Sequence, residues 1–195
     1  MKTPLILVGG GGHCKAVIDV IESTNEYVIH GIIDNNLSGN VFGYPILGSD
    51  DLLPQLINDV QHAFVTIGQI KTPQIRVNLY NLLLELGYNI PIIVANSANV
   101  SRNATLSDGV IIMHGATVVA GAKIGANVII NNHALVDHDC TIGSDCHIST
   151  GAQLNGNVRV GDGCFVGSGA IIREGVHIGS NNFIAMGTLV VKNIE

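Results

Sequence analysis

Hydrophobic and polar residues alternate with two different periods along this chain, and the change falls near residue 97. Before it, short apolar runs alternate with helix-spaced segments. "LILVGG" (5–10) reads as a buried strand. "HCKAVIDVIEST" (13–24) places Ala16, Val17, Val20 and Ile21 at helical spacing. "VIHGIIDNN" (28–36) is a second strand, "SDDLLPQLIND" (49–59) a short Ser/Asp-capped helix, and "AFVTIG" (63–68) a third strand. "TPQIRVNLYNLLLELG" (72–87) is a helix with Pro at its start and Gly at its end, and "IPIIVA" (90–95) a last strand. This alternation predicts a small Rossmann-like parallel α/β sheet over residues 1–96.

From residue 98 the period is six. Sixteen consecutive hexads, from ANVSRN to TLVVKN, carry Val, Ile or Leu at the third position without exception. The first position is small or Val in nearly all, and the sixth is commonly Gly, Asn or Asp. A coil with three short flats per turn explains the pattern. Third-position aliphatics stack inward, small first-position residues face inward near a corner, and the sixth position takes left-handed backbone angles. Each turn uses three hexads, so residues 97–195 are expected to form about five coils of a hexapeptide parallel β-helix.

Composition adds to this picture. Hydrophobic residues make up 47% and charged ones only 12%, with 24 glycines, which disfavours disorder and suits a repetitive turn-rich β structure. A net charge of −6 argues against a nucleic-acid surface. No apolar run is long enough to span a membrane as a helix, and the start "MKTPLILVGGGGH" lacks the long apolar region of a signal peptide. The expectation is a cytoplasmic protein with reduced thiols and no membrane insertion.

The densest chemistry lies in "NNHALVDHDCTIGSDCH" (131–147). In the hexad frame His133 takes position six, His138 and His114 position five, and His147 position two, so none belongs to the core stack and all are expected at corners or pointing outward. Cys140, Cys146 and Cys164 fall at position one, facing inward as small core filler, which argues against both a zinc site and a disulfide. His138 is flanked by Asp137 and Asp139, and a carboxylate bonded to the ring would raise its basicity and fix its tautomer. Spacing alone leaves two readings of His138 open, a catalytic base and a solvated histidine among acids. "GGGG" (9–12) between a strand and a helix places backbone N–H groups near an anion. As a dinucleotide fingerprint it fails at the third glycine, where Cys14 stands, and the domain is short for the full doubly wound fold.

Together "LVGGGGHCKAVIDV", "GIIDNN", "VTIGQIKTPQIR" and the "DHDC…H" block resemble the NeuD/PglD-type sugar acetyltransferases over essentially the whole chain. The resemblance implies a left-handed helix, acetyl-CoA as co-substrate, no metal, and a homotrimer with sites between subunits. It implies that His138 is the general base and Asp139 its orienting partner. His147, Gly156, Ser168, Ala185, Met186 and Gly187 would follow the acetyl-CoA path, with Asn131 near the amino sugar. In the N-terminal domain Gly11, Gly12 and His13 would line the phosphate or sugar side, Asp34 and Asn35 would meet the base and ribose, and Gly68 and Gln69 would close the pocket. Arg76 is read as a phosphate partner or a helix-surface charge. The implied reaction is N-acetylation of a nucleotide-linked 4-amino-4,6-dideoxyhexose, with UDP favoured as carrier, for surface glycan or glycoprotein biosynthesis. O-acetylation of a sialic or related nonulosonic acid is the alternative, and a non-catalytic trimeric scaffold a third. Two departures stand out: Cys14 replaces a glycine common in relatives, and the sequence ends at "VVKNIE" where relatives usually continue with a "G-x-P-A-K" segment.

Overall fold

The computed structural model describes residues 2–69 and 71–195. They divide into two compact units, Met1–Gly68 with Gln74–Pro91, and Gln69–Pro73 with Ile92–Glu195. The first unit is a five-stranded sheet in the order β3-β4-β2-β1-β5. Its strands are β1 (Thr3–Val8), β2 (Tyr27–Ile33), β3 (Asn40–Val41), β4 (Tyr44–Gly48) and β5 (Ala63–Val65). All pair in parallel except the β3–β4 hairpin. The helices are α1 (Gly12–Thr24), α2 (Leu53–Leu56), preceded by a 3-10 turn, and α3 (Gln74–Leu86). Helix α1 buries Cys14, Val17, Ile18, Val20 and Ile21; Val17, Val20 and Ile21 belong to the stripe read from the sequence, whereas Ala16 is only half-buried and Cys14 and Ile18 join the buried face. The hairpin was not anticipated: β3 has two residues, and Pro45 in β4 is a poor strand signal. Its tip, Phe42 and Gly43, has both φ angles positive (50° and 88°), as a tight two-residue hairpin turn requires.

The second unit is three parallel sheets of six, five and six two-residue strands. Each strand pairs with the one three hexads further on, as in Thr117↔Leu135 and Lys123↔Thr141. From Ile112 to Val190 every third-position aliphatic is buried, with Cys140, Cys146 and Cys164 fully buried among them. The sixth position has positive φ in every hexad from Gly109 to Gly187, including His133 (57°) and Asp139 (59°). Apolar packing through the middle, and backbone bonds donated to the next coil by the second- and fourth-position N–H groups, hold the prism together.

One element changes allegiance. Residues 90–95 do not extend the α/β sheet. Instead Ile93 and Val94 pair with Ile111 and Ile112, so the helix starts one hexad earlier, at "IIVANS" (92–97). An apolar strand looks the same in either sheet; the phase of Val94 with Val100 is what places it here.

The three corners differ. On one, the fourth position is glycine in four successive coils, Gly125, Gly143, Gly161 and Gly179. A Cβ on Gly125 would stand 2.6 Å from Ser144 N, and one on Gly161 2.6 Å from Ser180 N, so the coils close on each other there without room for a side chain. The other two corners carry Asp137–Asn155 and Asn131–Ser149, and these hold the polar chemistry.

Candidate active site

His138 is 58% exposed on the β-helix. Its backbone N–H donates to Asp137 Oδ1 (2.7 Å), and its ring Nδ1 lies 2.9 Å from Asp139 Oδ2. Adjacent residues rarely face one another. The left-handed backbone of Asp139 turns its carboxylate back onto the ring, an angle that Asp tolerates better than most residues. The hydrogen bond that the ring donates to Asp139 first, and the nearby Asp137 charge second, raise the His138 pKa above its ordinary 6.5. With the Nδ1 proton held by Asp139, the Nε2 lone pair is free to act as a base.

Two glycines make room for this pair. A Cβ on Gly156 would lie 2.4 Å from His138 Nε2, and one on Gly121 2.4 Å from Asp139 Oδ1. Each stands one full coil, three hexads, from the side chain it accommodates. Gly121 escaped the sequence reading, although the one-coil offset from Asp139 pointed to it. The ring borders a groove of about 380 Å³ lined by Asp137, His138, Asn155, Gly156, Asn157 and Glu174, among others. Gly156 N–H makes no hydrogen bond among the described residues, because the ladder leaves fifth-position N–H groups open. At His138, Ser144 and Asp162 a side chain fills that gap; at Gly156 nothing does.

His147 was expected to point outward, yet it is only 6% exposed. It does leave the prism core, but Gln69 covers it. Its Nδ1 is 3.1 Å from the Gln69 carbonyl, and its Nε2 3.0 Å from Asn131 Nδ2. Asn131 Oδ1 accepts the Asn132 N–H (2.7 Å), so Asn131 presents its amide hydrogens to the ring. That makes Nε2 an acceptor and Nδ1–H a donor. Phe165 meets the ring edge-on at 5.2 Å, and Phe183 stacks on Phe165 at 5.1 Å. Asn131, expected beside the sugar, thus bonds to His147. Gln69, expected to close the nucleotide pocket, is 4% exposed and fastened to the β-helix, its Nε2 donating to the Gly163 carbonyl (3.3 Å). Ser168 pairs with Ser149 (2.9 Å), a residue the sequence did not single out. Ala185, Met186 and Gly187 are exposed further along, and Met186 is 78% accessible. Gly167 underlies them, since a Cβ there would meet Met186 N at 2.5 Å.

In the first unit Gly9 (φ 106°) packs on Ile67, and Gly10 N–H donates to Asp34 Oδ2 (2.8 Å). Gly11 and Gly12 cap and open α1 with open space before them, and no acid in the first turn offsets the helix dipole. Gly68 lies against His13, where a Cβ would contact the His13 Cβ at 3.5 Å. Burial, and secondarily the Arg76 charge, push His13 down to about 4, so its ring is neutral at physiological pH. Arg76 is 1% exposed, so the helix-surface reading of this residue is wrong; α3 carries a buried cation near His13. The Asp34 carboxylate accepts from the Gly10, Asn36 and Leu37 N–H groups. Burial pushes its pKa up, but these three donors prevail and hold it below the usual value. Asn35 bonds reciprocally with Asp50, at 2.7 and 3.0 Å. Both residues border a cavity of about 220 Å³ with Val8, Gly9, Ile33 and Ile67.

Family models match residues 4–83 as the PglD N-terminal domain, and residues 139–174 and 157–192 as the bacterial transferase hexapeptide. The acetyltransferase domain of PglB from Neisseria gonorrhoeae, solved with acetyl coenzyme A, is 32% identical over 100% of this chain and 93% of its own, with a TM-score of 0.93. PerB from Caulobacter crescentus, solved with CoA and GDP-perosamine, is 34% identical over 98% and 90%, with a TM-score of 0.93. WeeI from Acinetobacter baumannii is 25% identical over 99% and 93%, with a TM-score of 0.80. No curated protein matches by sequence. The fold and these matches define an acyltransferase built on a left-handed hexapeptide β-helix. The chain belongs to the NeuD/PglD family of sugar acetyltransferases.

Proposed function

We propose that this protein transfers the acetyl group of acetyl-CoA to the amine of a nucleotide-linked 4-amino-4,6-dideoxyhexose, with His138 as general base. The observation that carries the reading is the His138–Asp139 pair seated over Gly156 beside an open groove. The sugar amine attacks the thioester carbonyl and loses a proton to His138 Nε2. Asp139 stabilises the imidazolium that forms. Gly156 N–H, which has no hydrogen bond among the described residues, donates to the carbonyl oxygen as it becomes negative. The C–S bond breaks, and the proton passes to the departing thiolate. Acetyl-CoA runs along His147, Ser168, Ala185, Met186 and Gly187, with Asn131 setting the orientation of His147. The nucleotide is held in the first unit by the start of α1, with the buried Arg76 and neutral His13 on the phosphate side and the Asp34–Asn35 loop on the ribose and base side. Active sites between the subunits of a homotrimer complete the reading.

UDP is the carrier we favour. GDP is the second reading, favoured by the GDP-perosamine in the Caulobacter complex. A thiol-release assay with UDP-, GDP- and dTDP-linked 4-amino sugars decides. Release with one of them establishes N-acetylation and names the base, whereas release only with a free nonulosonic acid moves the assignment to O-acetylation.

A further inference from the structure

We propose that Asn155 is a specificity-determining residue, its side-chain oxygen serving with His138 Nε2 as the second acceptor for the attacking amine. This rests on the amine-acetylation reading above. Asn155 immediately precedes Gly156 and lines the His138 groove, half-buried. Its nitrogen end is tied down: Nδ2 donates to the Ile172 carbonyl at 2.7 Å, and the backbone N–H reaches the same oxygen at 3.2 Å. From the core side, the Cys140 thiol donates to the Asn155 carbonyl at 3.2 Å. The amide nitrogen therefore cannot turn to the groove without giving up its bond. The amide oxygen is left over, and it takes no hydrogen bond among the described residues. Asp137, in the same column one coil before, already accepts the His138 N–H on one oxygen. Glu174, on the far side of the groove, is exposed on a longer and freer side chain.

The chemistry of the two possible nucleophiles differs in hydrogen count. A neutral amine has two N–H groups and one lone pair. The lone pair forms the new N–C bond, one N–H faces His138 Nε2, and the second needs an acceptor as the nitrogen turns cationic. Asn155 Oδ1 supplies it. The first proton goes to His138 and then to sulfur as the C–S bond breaks, yielding an amide and the CoA thiol. A hydroxyl nucleophile has one O–H, which His138 takes. Asn155 Oδ1 would then be desolvated without a partner, a penalty on the order of 10- to 100-fold in rate.

The test compares kcat/KM for the amino sugar in wild type, Asn155→Ala and Asn155→Asp. Asp keeps an oxygen acceptor, loses the N–H tie to Ile172 and adds a negative charge in the groove shared with His138, so the rates are compared on the pH plateau. We expect Ala to lose at least about tenfold with the pH profile unmoved, and Asp to stay within about threefold of wild type. Equal losses in Ala and Asp would assign Asn155 to the tie with Ile172 and overturn the proposal. An Ala variant within threefold of wild type, or an Asp variant slower than Ala, would overturn it as well. Wild type inactive on every amino sugar brings down the acceptor assignment itself, a result visible before any variant is made.

Discussion

Gly156→Ala tests whether the site depends on how His138 is seated. The added Cβ would lie 2.4 Å from Nε2 and 2.5 Å from Cε1, where ordinary contact begins near 3.4 Å. The imidazole must therefore move by about 1 Å. It can do so, because its side chain is 58% exposed. Its hydrogen bond to Asp139 is already 2.9 Å, and a shift of that size strains or breaks it, since Asp139 is itself seated against Gly121. A misplacement of about 1 Å costs on the order of 100-fold in rate. Gly156 has no positive φ, so alanine is accepted by the backbone and the melting temperature should move by only a few degrees. The assay is kcat for thiol release in wild type, Gly156→Ala, His138→Ala and the double variant. The glycine should cost about 100-fold alone and nothing further once His138 is gone. Wild-type kcat in Gly156→Ala, or full additivity in the double variant, would refute a role through His138.

Further outcomes follow from the same geometry. Asp139 raises the His138 pKa, and a histidine acting as general base works only when neutral, so the acid limb of kcat/KM should lie above pH 6.5. In Asp139→Asn it should move down towards 6.5, with a lower plateau because an amide can leave the ring proton on Nε2. His13 is held neutral down to about pH 4 in the folded chain, while the unfolded chain takes up its proton near 6.5. Stability should therefore fall as pH drops from 6.5 to 4, by on the order of 3 kcal/mol from this residue, and urea midpoints of His13→Gln should lose that part of the slope. Gly143→Ala, on the glycine corner, places a Cβ 2.7 Å from Asp162 N and should cost about 1–3 kcal/mol in urea unfolding without touching the groove.

The β-helix was legible because its period repeats sixteen times and every third-position residue must be apolar to stack. The His138–Asp139 contact was legible too, since adjacent residues at positions five and six share a corner. Other features were hidden for physical reasons. Burial of His147 comes from Gln69, 78 residues away, and no local pattern announces a cover from elsewhere in the chain. Arg76 reads as a helix-surface charge because a lone cation is ordinarily solvated, yet it shares the buried face of α3 with Tyr80 and Leu83. The β3–β4 hairpin is too short for periodicity and is interrupted by Pro45. Gly121 and Asn155 could have been found by stepping one coil, three hexads, from Asp139 and Asp137, a rule that follows once the coil is known.

The central claim is that His138 accepts the proton of the attacking amine. The most direct measurement is kcat/KM for thiol release with the preferred nucleotide-linked amino sugar, in wild type and His138→Ala, with acetyl-CoA binding measured on both. The account predicts a loss of about 100-fold or more with acetyl-CoA affinity retained. A His138→Ala enzyme within threefold of wild type would contradict it and move the base elsewhere in the groove.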